Sequence, residues 1–121
     1  MHHAAQAYGK VAKQTSSPRD LEADLLLKAA ARLQAISDNW DAKAREVDGA
    51  LLFNRRLWSI FVTSVTEQTH PLPAQVRQNI ANLGIFVMNH TLSLMAEPRR
   101  EKLAPLININ RELAAGLMGR A

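Results

Sequence analysis

The five prolines of this chain, Pro18, Pro71, Pro73, Pro98 and Pro105, all fall at or near the ends of long stretches with helical periodicity. Proline removes a backbone donor and restricts the residue before it, so each marks where a helix starts, stops or is still in its first turns. Between them no run alternates apolar and polar residues as a half-buried strand does. This punctuation predicts an all-α fold, a small bundle of about four to five helices forming a single domain over residues 1–121.

The spacing predicts a short first helix over 4–13, with Ala4, Tyr8 and Val11 on one face and Gly9 weakening it. Such a segment is marginal alone, so residues 1–15 are expected to be weakly ordered unless they dock. The next start is sharper. Ser17-Pro18-Arg19-Asp20 supplies an N-cap, a proline at the first helical position and an acid three residues after the cap. This second helix should run to Asp38 or Trp40. Leu21, Leu25, Ala29, Leu33 and Ile36 form its apolar stripe, and Asp24 and Lys28 pair outside. A third helix is expected from Asp48 to Thr69, and a fourth from Pro73 to Ala96. A last helix should run from Glu101 to Met118, with Pro105 in its first turn or two and its regular part beginning only there.

The third and fourth segments carry the functional signal, because each is apolar on more than one side. On the third, Leu51, Trp58, Phe61, Val62 and Val65 form one stripe, while Phe53, Leu57 and Ile60 point well away from it. On the fourth, Val76, Ile80, Leu83, Val87 and Leu94 form one stripe, and Ile85, Met88, Leu92 and Met95 form a second on roughly the opposite side. Two readings follow. Either these helices are the buried centre of the bundle, or part of the second surface meets a partner helix. The adaptable side chains of Met88 and Met95 would suit the latter. The partner-binding candidates are therefore Phe53, Ile60, Ile85, Met88, Leu92 and Met95, with Arg55 and Arg56 at the rim pairing with acidic residues. Trp58 belongs to the core.

Asn54, His90 and Asn110 sit within apolar stripes. Buried without partners, each would cost a few kcal/mol, roughly. They are expected to form a buried polar network, bonded to one another or to backbone groups, that fixes helix register. No second histidine lies at i±4 from His90, and no carboxylate lies three or four residues from it on its face, so no metal site is read. No catalytic constellation, phosphate loop or cofactor motif is present either. The expectation is a non-enzymatic protein without cofactor.

A net charge of +4 raises the question of nucleic acid. The basic residues are dispersed, their adjacent pairs being Arg55–Arg56 and Arg99–Arg100, and aromatics are scarce, which argues against a base-stacking surface. The absence of cysteine fits a reducing compartment. No apolar run is long enough for a signal peptide or a membrane span, so no membrane insertion is expected.

Several of these residues also carry a family resemblance. Tyr8, Thr15 and Pro18-Arg19-Asp20-Leu21-Glu22 resemble the opening segment of the FlaF family. The run Asn54-Arg55-Arg56-Leu57-Trp58, followed by Phe61, is similar to its central signature. Leu72-Pro73 with Val76-Arg77 and Ile80, then His90-Thr91, then Ile107, Asn110-Arg111 and Gly116-Leu117, resemble its later helices in order. Phe86 departs from a position where relatives often place tryptophan, but it keeps an aromatic ring. The resemblance implies a cytoplasmic factor in flagellin secretion and filament assembly. Such a factor would bind flagellin through its amphipathic terminal helices, with a functional link to FlbT, a post-transcriptional regulator of flagellin synthesis. It also leaves open direct action on flagellin mRNA.

Overall fold

The computed structural model describes residues 17–119. The expected helix over 4–13 lies outside them. The described residues form helices α1 (Pro18–Asp38), α2 (Trp40–Lys43), α3 (Val47–Val65), α4 (Ala74–Ala96) and α5 (Leu103–Leu117), with 3₁₀ turns at Ala44–Glu46 and Arg100–Lys102. No strand occurs among the described residues. The fold is all-α, built on four long helices.

Local chemistry sets the helix ends. Ser17 caps α1 with its hydroxyl on the Asp20 amide at 3.1 Å, and the Asp20 carboxylate accepts the Ser17 amide in return at 3.3 Å. This reciprocal capping box starts α1 where the sequence places it. α3 ends at Val65, before the expected Thr69. The Thr66 hydroxyl turns back onto the Thr63 carbonyl at 2.7 Å. Arg77, from α4, donates to the carbonyls of Val65 (3.3 Å) and Glu67 (3.0 Å) through Nη1 and to that of Leu72 (3.1 Å) through Nε. Its charge faces the negative end of the α3 dipole and ties down the linker before α4. Pro105 occupies the third position of α5, where a missing N–H costs no intrahelical bond.

α1 packs most extensively on α5, and α3 lies between α1 and α4. The buried face of α1 differs from the stripe of leucines read from the sequence. It runs through Ala23, Leu26, Ala29, Ala30, Leu33 and Ile36. Leu21 and Leu25 remain 52% and 42% exposed. The three alanines let helices approach closely, and packing against α5 turns this small-residue face inward. On α4 the inner stripe is Ile80, Val87 and Leu94 with Gly84 and Thr91, and Val76 is exposed. Trp58 is fully buried in the centre, its ring edge-on to Phe61 with centroids 6.0 Å apart. Asp24 and Lys28 form no ion pair. Among the described residues that contact is made by Arg99 and Glu97.

Candidate functional site

Three helices meet at Asn110. Its Nδ2 group donates to Asn54 Oδ1 at 2.7 Å and to the Leu26 carbonyl at 3.3 Å, while its Oδ1 accepts from Trp58 Nε1 at 2.9 Å. An indole nitrogen only donates and a carbonyl only accepts, so these partners fix the orientation of the amide. Asn54, Trp58 and Asn110 are all completely buried. Two buried atoms have no hydrogen-bond partner among the described residues, Asn54 Nδ2 and Thr91 Oγ1.

The expected network of Asn54, His90 and Asn110 is thus divided. His90 is half-buried and stands apart, on the flank of α4 beside the 3₁₀ turn. Its Nε2–H donates to the Lys102 carbonyl at 2.7 Å, and its ring stacks on Phe86 with centroids 5.2 Å apart. Trp58 takes the third place in the network. Hydropathy patterning misses this, because it scores an indole as apolar and ignores its one donor.

The candidate contact residues also separate into two groups. Ile85, Met88, Leu92 and Met95 share one face of α4, spaced by three, four and three residues. Ile85 and Leu92 are 62% and 55% exposed, while Met88 and Met95 rest partly on the core. This face adjoins α3 along a shallow groove. At one end, Ser59, Val62 and Thr63 of α3 meet Gly84, Ile85 and Met88 of α4 around a hollow of about 310 Å³. Toward the other end, Leu52 of α3 and Met95 of α4 line a second hollow with Asp48 and Gly49. Leu92 lies between the two hollows by helical phase, and so do Arg55 and Arg56 on α3.

Phe53 and Ile60 do not join this groove. At about 100° per residue they occupy the flank of α3 turned toward α1. Phe53 is half-buried there, with the Arg32 guanidinium of α1 5.9 Å from its ring centroid. Ile60 is 71% exposed. One apolar surface spanning both sets of residues, as the sequence suggests, is therefore two surfaces, roughly 100° apart around α3.

The groove owes its shape to Gly84. A Cβ there would overlap a Val62 methyl and touch the Trp58 ring at 3.7 Å, so only glycine lets α3 and α4 come this close. Arg55 and Arg56 are exposed and pair with no carboxylate among the described residues. Away from the groove, burial raises the carboxyl pKa of Glu22 on α1, an effect that nearby His70 and Arg19 partly offset. Among the described residues no three His, Cys, Asp or Glu side chains are placed to hold a metal ion, and no helix is long and apolar enough to cross a membrane.

Residues 4–117 match the family model described as flagellar protein FlaF. No curated protein and no solved structure matches the chain.

Proposed function

The chain belongs to the FlaF family of flagellar proteins, and from that premise we propose that it is a non-enzymatic, cytoplasmic chaperone that binds flagellin for export and filament assembly. The observation that carries this reading is the second apolar stripe of α4. Ile85 and Leu92 are each more than half exposed beside α3, and no other described helix covers them. A helix normally buries one apolar stripe against its own fold, and a second, uncovered one marks a surface for another molecule. A groove between two helices with methionines on its floor suits an amphipathic helix from a partner. Unassembled flagellin carries such helices at its termini, and covering them would prevent aggregation before export.

In this reading Met88, Leu92 and Met95 take the apolar side of the flagellin helix, and Ile85 closes the groove at one end. Flagellin level then couples to flagellin synthesis through the fraction of chaperone left free, which is where a link with FlbT would act. Direct action on mRNA has no comparable surface among the described residues, where Arg55 and Arg56 are the only adjacent basic pair near the groove and no aromatic platform accompanies them.

Pull-down of flagellin with Ile85→Glu or Leu92→Glu protein tests the assignment. Both side chains are exposed, so the variants should fold, as circular dichroism can verify. Each should bind flagellin at least about tenfold more weakly, a loss of ~1.4 kcal/mol. Folded variants that retain flagellin at wild-type strength would remove the groove from the function.

A further inference from the structure

The groove carries charge on one side only. Arg55 and Arg56 lie on its α3 edge, between Leu52 and Ser59, and neither meets a carboxylate among the described residues. α4 has no acidic residue anywhere along its length; Asn89 leaves its edge neutral beside the first hollow, and its Arg77, beyond that hollow, is engaged on the carbonyls of Val65, Glu67 and Leu72. Among the described residues Asp48, at the far end, is the one acid lining the groove. The floor has a second regularity. Ile85, Met88, Leu92 and Met95 follow a three–four spacing, the mean period of 3.5 by which one helix keeps a continuous seam against another. From Ile85 to Met95 this floor is about 15 Å long, close to three helical turns.

We propose that the α3–α4 groove selects an amphipathic helix whose three–four apolar stripe is edged by Asp or Glu, with those carboxylates meeting Arg55 and Arg56. This rests on the groove being the partner-binding surface, and it adds the chemistry by which a partner is chosen. The apolar floor sets the period of the incoming stripe. The arginine pair then sets which edge bears negative charge, since a guanidinium fork matches carboxylate geometry. A basic edge would place like charges together and be rejected. A second copy of this chain fits poorly. Arg56 is the midpoint of α3, so two-fold pairing over this groove would bring the arginines of both copies together near the axis.

The experiment uses three labelled host helices with the same three–four leucine stripe and flanks of Glu, Gln or Lys. Their binding to the full chain is followed by fluorescence anisotropy at low and high salt. The Glu-flanked helix should bind about tenfold more tightly than the Lys-flanked one at low salt, and high salt should narrow the gap. Arg55→Glu/Arg56→Glu should invert the order, and Leu92→Gln, which removes apolar floor without adding charge, should weaken all three helices alike. Equal binding of the three helices to the wild-type chain overturns the charge rule without needing any variant. If flagellin binding, measured in parallel, is still lost in Leu92→Glu, the groove reading survives that result. If flagellin does not respond to Leu92→Glu and no helix responds to Leu92→Gln, both readings fall. A dimer seen by sedimentation and dissolved by Leu92→Glu would assign the groove to a second copy and overturn the proposal.

Discussion

Asn110 ties α5 to α3 and α1 through one amide, and its replacement by a near-isostere shows what that amide contributes. In Asn110→Asp, the carboxylate still accepts from Trp58, but it presents an oxygen to Asn54 Oδ1 and to the Leu26 carbonyl, which both accept. Two lost donors and a buried charge should cost ~3 kcal/mol or more, read by urea denaturation. Thr91 predicts the opposite sign. Its hydroxyl is buried without a partner, so Thr91→Val removes an unmet polar group at nearly constant volume. The unfolding free energy should hold or rise by up to ~1 kcal/mol in the same measurement. The two asparagines were legible in the sequence as amides inside apolar stripes. Their partner Trp58 was not, because its single donor is invisible to hydropathy. Nor was Arg77, whose three carbonyl acceptors belong to backbone that only the folded linker brings together.

At the level of elements, Gly84 opposes two tendencies. A glycine in mid-helix costs about 1 kcal/mol against alanine, so Gly84→Ala should stabilise α4 considered alone. In the folded protein the new methyl would overlap Val62, and overpacking of this kind costs about 1–3 kcal/mol. Packing outweighs propensity here, and thermal denaturation should show Gly84→Ala destabilised. Val62→Ala in the same chain should recover part of the loss. Helix existence and most boundaries were readable because prolines and caps act locally. The inner faces of α1 and α4 were read less well. Periodicity favours the largest apolar side chains, so it placed Leu21, Leu25 and Val76 inside, whereas close packing turned Ala23, Ala30 and Gly84 inward. The second stripe of α4 was legible for the same reason that it is exposed, since large apolar residues at regular spacing remain conspicuous. Its separation from Phe53 and Ile60 was not, because it depends on where α1 lies.

For the whole molecule, the start of α1 and the α3–α4 linker share one electrostatic environment through Glu22 and His70. Burial raises the Glu22 carboxyl above its ordinary 4.5, and the neighbouring His70 and Arg19 offset part of that rise. The folded protein therefore holds this proton more tightly than the unfolded chain does. Its contribution to stability is present below about pH 4.5 and is lost as pH rises through the raised value. Glu22→Gln should remove this dependence and leave the protein more stable than wild type at neutral pH. Melting temperatures measured across the acidic range and at neutrality give the comparison.

The contact of Gly84 with Val62 also bears on the timing of association. Because α3 and α4 leave no slack between them, the width of the groove is fixed before an encounter begins. In the proposed complex the chain then adds little ordering cost of its own, and a partner helix that folds on docking would bear nearly all of it. Partners of this surface should therefore differ chiefly in how long they stay and far less in how often they arrive.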